Sequence, residues 1–280
     1  MKHQTVTKSL FWLASYPKSG NTWMRAFLAN YVFDQPEPVP VNQLHKLGIG
    51  DAIASAYTKV LGSSFDPTNP ADSARVREPF FKALVANGAD INLVKTHNQN
   101  NVAFGSHLIP AHYTRGAIYI IRDPRDMVIS YASHLGMAVD RAIEGMNTVD
   151  NATAADEKNV HQFLGRWSDH VTSWTRSKKF AVTVIRYEDM LERPEKTFGT
   201  VIRRVGMPVE KDRLAKAIEF SSFDKLRGQE EETGFVENSE KQERFFRKGT
   251  SGQWREELTA DQAAQIEADH GRVMRKHGYL

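Results

Sequence analysis

LFWLASYPKSGNTWMRAFLANY, residues 10–31, is the stretch on which the reading of the chain turns. Leu10, Phe11, Trp12, Leu13 and Ala14 make a short apolar run that suits a buried strand, and Ser15-Tyr16-Pro17-Lys18-Ser19-Gly20 breaks it. Beyond the break Trp23, Met24, Phe27, Leu28 and Tyr31 recur at helical spacing, with Asn21 or Thr22 available as the cap. The unit is strand, loop, helix. Such a loop aims backbone N–H groups and the positive end of a helix dipole at one point, where an anion is attracted, and Lys18 adds a mobile charge there. Turns of this composition also occur where nothing binds, so the loop alone leaves both readings open. It is not a Walker A loop, GxxxxGK[ST]: Lys18 precedes Gly20, and the hydroxyl beside the lysine that holds magnesium in that motif is not reproduced.

Outward from this stretch the pattern repeats. Ile91-Asn92-Leu93-Val94-Lys95 predicts a second strand, delivering Thr96-His97 into a loop. Ala117-Ile118-Tyr119-Ile120-Ile121 is a continuous apolar run of the kind found in parallel sheets. It ends in Arg122-Asp123-Pro124-Arg125-Asp126, with Asp123 as cap and proline in the first turn of a helix carrying Met127, Val128, Tyr131 and Leu135. A further strand, Ala181-Val182-Thr183-Val184-Ile185, precedes Arg186-Tyr187-Glu188-Asp189-Met190. Helices are predicted over residues 194–205, closed by Gly206, over 211–220 and over 261–277, and Phe163, Trp167, Val171 and Trp174 mark another. Residues 34–40, DQPEPVP, form a proline-rich exit from the first helix. Residues 41–87 read as modest helices broken at 62–64 and 66–70, without a chemical motif. Residues 136–161 are polar, with 147–153 as a loop able to cover a site, and 228–241 are highly charged and loose. His161 and His170 have no partner at metal-ligand spacing and read as structural or solvated.

The chain has 280 residues, of which 40% are hydrophobic and 25% charged, enough for a sizeable globular core. A net charge of +3 suits a small anionic ligand and does not call for nucleic acid. Cysteine is absent, which excludes disulfides, thiolate catalysis and Cys-ligated zinc. The apolar run near the N-terminus is too short for a signal segment, and no stretch approaches a bilayer span, so the expected location is cytoplasmic, with no membrane partner.

Residues 16–23, YPKSGNTW, resemble the YPKSGTTW loop of the sulfotransferases, enzymes that move a sulfuryl group from 3′-phosphoadenosine 5′-phosphosulfate (PAPS) to a hydroxyl or amine. Further segments are similar in family order. Lys95-Thr96-His97 matches KTH, IIRDPRDMVISY at 120–131 places Arg122 and Ser130 eight residues apart, and Tyr187-Glu188-Asp189-Met190 matches YEDM. Ser221-Ser222-Phe223 with Leu226 resembles a stretch that packs around adenine. RKGTSGQW at 247–254 resembles RKGxxGDW, with Gln253 in place of aspartate, a change expected to affect loop packing more than phosphate contact.

The resemblance implies one α/β domain over residues 1–280, a parallel sheet of four or five strands with helices on both faces, and a ligand across the carboxyl ends of the strands. Residues 34–90, 136–161 and 228–245 become candidate acceptor-pocket or cover segments. Lys18, with the N–H groups of Ser19, Gly20, Asn21 and Thr22, is implied to hold the 5′-phosphosulfate. Lys95 stands beside the transferred group, and His97 is the general base. Arg122, Ser130, Arg247, Lys248 and Gly249 clamp the 3′-phosphate; Trp23 and Phe223 sandwich adenine, Tyr187 reaches its edge, and Ser221 lies with them. The product is adenosine 3′,5′-bisphosphate (PAP), and no metal is expected. The acceptor is a small molecule, an alcohol or phenol, with amines left open and elimination after sulfation also open. The other class is a magnesium-dependent small-molecule kinase, which needs a Walker A loop and a partner aspartate that the sequence does not offer. Two departures matter: Asn98-Gln99-Asn100-Asn101 stands where the family continues with leucine-proline, and the dimer motif KxxxTVxxxE is lost at Arg255, Thr259, Ala260 and Ala264. The oligomeric state is left open.

Overall fold

The computed structural model describes residues 9–62 and 65–280. The expectations for residues 1–8, and for Ser63 and Ser64 within the 62–64 break, lie outside the described residues. The strands are β1 (Leu10–Ser15), β2 (Ile49–Gly50), β3 (Asn92–Thr96), β4 (Val102–Ala103), β5 (Ser106–His107), β6 (Thr114–Ile121) and β7 (Ala181–Arg186). Five form a parallel sheet in the order β2-β3-β1-β6-β7, flanked by helices, while β4 and β5 pair as a small antiparallel hairpin. Leu10 stands opposite Asn92 and Ala14 opposite Thr96. β1, with β3 on one side and β6 on the other, is buried along its whole length, which is why it is apolar at every position from 10 to 14.

β2 lies in the segment 41–87, read as several modest helices. Two residues carry no readable period, and the strand exists through its pairing with β3, Ile49 opposite Val94. The approach is close enough that a Cβ on Gly48 would meet the Leu93 carbonyl oxygen at 2.4 Å.

The chain packs as two compact units, each assembled from three segments. The first comprises the described residues up to Tyr16, Gly48–Tyr119 and Val149–Val184; the second comprises Pro17–Leu47, Ile120–Thr148 and Ile185–Leu280. Trp12, Tyr57, Phe80, Phe81, Tyr119, Trp167 and Trp174 are fully buried in the first unit, with Trp12 edge-on to Phe81 at 5.1 Å. Its helices are Ala54–Leu61, Pro70–Arg75, Arg77–Val85 and Trp167–Thr175.

The second unit opens with the helix Asn21–Phe33, whose Phe27 stacks on Phe198 at 4.1 Å. The helices Pro194–Val205, ended by Gly206, and Lys211–Phe220 match the expected bounds, and the last helix, Ala260–Lys276, begins one residue early behind a capping box from Thr259 and Gln262. The polar stretch 136–161, read with a loop over 147–153, also holds the helix Val139–Met146, which buries Ala142, Ile143 and Met146. One expectation is corrected. The charged stretch from 228 is not loose at its start: the helix Phe223–Thr233 runs through Gly228, anchored by buried Leu226 and Glu230. The Glu230 carboxylate accepts from the N–H groups of Phe245 and Phe246 at 2.6 and 2.9 Å, a tertiary partner that local sequence does not reveal. No helix among the described residues is long and apolar enough to cross a membrane.

Candidate functional site

In the second unit, the loop after β1 turns through two left-handed residues, Lys18 (φ 64°) and Gly20 (φ 103°). Gly20 is itself the N-cap of the following helix; Asn21 and Thr22, expected as caps, are already helical, and Thr22 accepts from Arg25 at 3.2 Å. No side chain caps this turn, and the first intrahelical bond runs from Met24 N–H to the Gly20 carbonyl at 3.0 Å. A helix end without a side-chain cap suits an outside acceptor. Glycine is also required by space: a Cβ at position 20 would stand 2.7 Å from the Tyr187 ring.

The Lys18 ammonium is buried, has no hydrogen-bond partner, and lies 3.5 Å from the centre of the Phe245 ring. Burial, then the positive charge of Arg122, brings its pKa down from 10.5 to about 7. The Arg122 guanidinium gathers the separate motifs of this unit. It donates to the Lys18 carbonyl at 3.3 Å, the Ser130 hydroxyl at 3.5 Å and the Thr250 carbonyl at 3.2 Å, and it sits 4.3 Å over the Tyr187 ring. Its Nε is buried without a partner, as are Ser19 Oγ, Trp23 Nε1 and Arg247 Nε. Buried donors left unpaired are rare in folded proteins, and here five belong to residues singled out from sequence as nucleotide contacts.

Arg247 donates to Glu257 at 3.1 Å and to Gln253 at 2.8 Å, and Lys248 Nζ also reaches Glu257. Gln253 therefore does more than pack, since its amide oxygen orients a cation. A Cβ on Gly249 would lie 2.2 Å from the Phe223 ring, so glycine there lets the loop rest on that aromatic face. Trp23 stands edge-on to Tyr187 at 5.6 Å and to Phe198 at 5.8 Å. Ser221 is fully buried and its hydroxyl donates back to the Ala217 carbonyl at 2.7 Å. Sequence reasoning missed Asp126, whose carboxylate takes the N–H groups of Gly252 and Trp254 at 2.6 and 2.9 Å and so holds the 247–254 loop. One helical turn on from a capping residue, an aspartate reads as helix-end charge; its true partners lie more than a hundred positions away.

The first unit holds Lys95 and His97. Lys95 pairs with Leu13 in the β1·β3 register, and its carbonyl accepts from Asp51 N–H at 3.0 Å. His97 Nδ1 is 2.8 Å from the Ser15 carbonyl oxygen and 3.2 Å from its hydroxyl. A carbonyl cannot donate, so Nδ1 carries the proton and, in the neutral ring, Nε2 carries the accepting lone pair. His170, set aside as structural, donates from Nε2 to the His97 carbonyl at 3.0 Å while the Tyr119 hydroxyl donates to its Nδ1 at 2.8 Å. Burial brings the His170 pKa from 6.5 to about 4, which keeps that ring neutral.

The residues flanking His97 are tied to a network in the segment that showed no motif. Asp51 Oδ2 accepts from Arg77 at 2.6 Å, Thr96 at 2.6 Å and Asn98 at 3.0 Å, and Oδ1 accepts from Gln162 at 2.8 Å. Arg77 also donates to the Leu108 carbonyl at 2.8 Å and the Tyr57 hydroxyl at 3.2 Å. Asn98 occupies the first position of the departure from leucine-proline, and its Oδ1 accepts from Phe163 N–H at 2.8 Å.

Residues 8–278 match the sulfotransferase domain. The chain is 23% identical over 286 residues to mouse sulfotransferase 1 family member D1, covering 94% of this chain and 82% of the relative. It is 25% identical over 268 residues to mouse sulfotransferase 1A1, covering 94% and 83%. Among solved structures, mouse sulfotransferase SULT7A1 complexed with PAP superposes with a TM-score of 0.61 at 20% identity, covering 98% of this chain and 91% of the other. Retinol dehydratase in a complex with retinol and PAP gives 0.62 at 16% identity, covering 95% and 81%. With the domain matched along nearly its whole length, the chain belongs to the sulfotransferase family.

Proposed function

We propose that this protein transfers the sulfuryl group of PAPS to the hydroxyl of a small, largely apolar alcohol or phenol, with His97 as general base. The observation that carries the reading is the convergence on Arg122: one guanidinium bonds the 18–20 loop, Ser130 and the 247–254 loop, and it stands among buried donors that no protein group satisfies. Buried, unpaired donors of this number fit a polyanion with two separate phosphate groups better than any neutral ligand.

PAPS supplies the activated sulfuryl group; the chain's residues do the rest. Lys18 and the uncapped first turn after Gly20 bind the 5′ end and neutralise charge as it develops on the departing phosphate. Lys95 stands beside the transferred group. Arg122, Ser130, Arg247, Lys248 and Gly249 hold the 3′-phosphate, and Trp23, Tyr187 and Phe223, with Ser221 closing the helix beneath it, receive adenine. His97, its tautomer set by the Ser15 carbonyl, takes the acceptor's proton at Nε2. Charge neutralisation by lysine, arginine and amides leaves no step that calls for a metal. The alcohol class is supported by the fold relatives solved with retinol and with androsterone.

The test is a thermal shift with PAP, with and without EDTA, beside ATP plus magnesium. At a hundred times its dissociation constant a ligand adds about 2.7 kcal/mol, or roughly 5–10 °C for a chain of this size. A shift with PAP that EDTA leaves unchanged supports the donor site; a shift confined to ATP with magnesium replaces this reading with the kinase. Radiolabelled PAPS with a panel of phenols, steroids, retinoids and amines then identifies the acceptor class.

A further inference from the structure

Both cations proposed to grip the 3′-phosphate are already engaged by one carboxylate. Glu257 ends the short helix Trp254–Glu257, four residues beyond Gln253. Its Oε2 lies 3.1 Å from Arg247 Nη1, and its Oε1 is bonded to Lys248 Nζ. The second terminal nitrogen of Arg247 is taken by Gln253 at 2.8 Å, so that only its Nε, buried, has no partner. The Glu257 side chain is 24% exposed, which removes much of the water that would otherwise screen the pair. Burial works to raise its pKa, but the hydrogen bonds from Lys248 and Arg247 outweigh that and hold it below the usual carboxylate range. Glu257 is ionised at neutral pH.

We propose that Glu257 is an internal competitor of the nucleotide's 3′-phosphate and lowers the preference for nucleotides that carry one. A phosphate reaching Arg247 and Lys248 must displace the carboxylate or share its cations at close range, and either way it faces one negative charge that the amide of glutamine would not present. The opposite role, a carboxylate that only steers the two cations into place, predicts the opposite sign. The proposal rests on the reading of Arg247 and Lys248 as the 3′-phosphate clamp.

Glu257→Gln keeps the length of the side chain and an acceptor oxygen while removing the charge. Isothermal titration calorimetry at fixed ionic strength, with PAP and with adenosine 5′-monophosphate, reads the effect. The expected result is PAP binding tighter by about tenfold with the monophosphate changed by less than about twofold. Weaker PAP binding, or equal tightening of both nucleotides, overturns the proposal. Arg247→Ala, measured the same way, separates the two levels. If it weakens PAP selectively, the clamp stands and an unchanged Glu257→Gln removes only the competitor. If Arg247→Ala leaves the ratio of the two affinities unchanged, the clamp reading fails and the competitor role falls with it.

Discussion

Asp51 in the first unit accepts four side-chain hydrogen bonds, whereas the buried Lys18 ammonium in the second accepts the company of a Phe245 ring and of other cations and makes no hydrogen bond at all. Around Asp51 every contact is protein to protein, the condition under which a buried ion pair rigidifies its surroundings. Around Lys18, donors on Ser19, Trp23, Arg122 and Arg247 are buried without partners, each at a cost of about 1–3 kcal/mol. The first cluster belongs to folding and holds the loop that carries His97. The second works against folding, a cost that the proposed nucleotide would offset.

The largest expected effect tests whether the framework serves chemistry. His97→Ala should lower kcat by roughly 10²–10⁴ while PAP affinity stays within about twofold. Retained turnover would move the base elsewhere and empty the first unit of its chemical role. Next, Asp51→Ala leaves Arg77 buried and unpaired, and should destabilise the protein by about 3–5 kcal/mol in urea unfolding. An Asp51→Ala protein of normal stability would break the contrast from the side of the satisfied cluster.

Arg247→Ala comes third: PAP affinity should fall by about tenfold or more, with kcat at saturating donor reduced far less, read from initial rates across donor concentration. From the side of the unsatisfied cluster, Lys18→Met should weaken nucleotide binding yet stabilise the nucleotide-free protein by about 1–2 kcal/mol, since an apolar group replaces an unpaired buried cation. A loss of stability in that variant would mean that the ammonium is paired after all.

The last effect is in protons. With a pKa near 7 when folded and 10.5 when unfolded, Lys18 binds less proton in the folded state across that interval. Stability of the nucleotide-free protein should therefore rise with pH between these values, the term being absent only above the upper one. A phosphate dianion beside the amine restores its charge. PAP binding at a pH of about 8.5 should draw up to one proton from solution, and calorimetry in buffers of different ionisation enthalpy counts it; no uptake removes Lys18 from the phosphate.

The parts of the fold legible in sequence were those whose signal is local. β1, β3, β6 and β7 are apolar runs closed by turn residues, and the helix Pro194–Val205 carries proline at its start and glycine behind its end. β2 has no period to read, and the helix from Phe223 past Gly228 is held by what Glu230 bonds fifteen and sixteen residues later. The site divides the same way. Lys18, His97, Arg122 and Arg247 lie in short motifs beside strand ends or loops. Asp51, Arg77, Asp126, His170 and Glu257 act through partners that only folding brings near, and each has an ordinary local reading as a loop, helix-end or surface residue. Gln253 stood in a recognised motif and was still undervalued, because its bond to Arg247 depends on the loop turning back on itself.

Lys18 and the Ser15 carbonyl that sets the proton on His97 are separated by only Tyr16 and Pro17 along the chain. Pro17 has one soft backbone angle fewer than other residues, and Lys18 holds a left-handed φ of 64°. Such a linker has no slack with which to absorb a change of length. Elsewhere, at exposed stretches such as residues 34–37, an inserted residue can be looped out into water. Between Ser15 and Lys18 it cannot, so a codon-by-codon insertion scan of this gene should show its sharpest intolerance across three adjacent peptide bonds, and enzymes recombined from relatives should be joined anywhere but there.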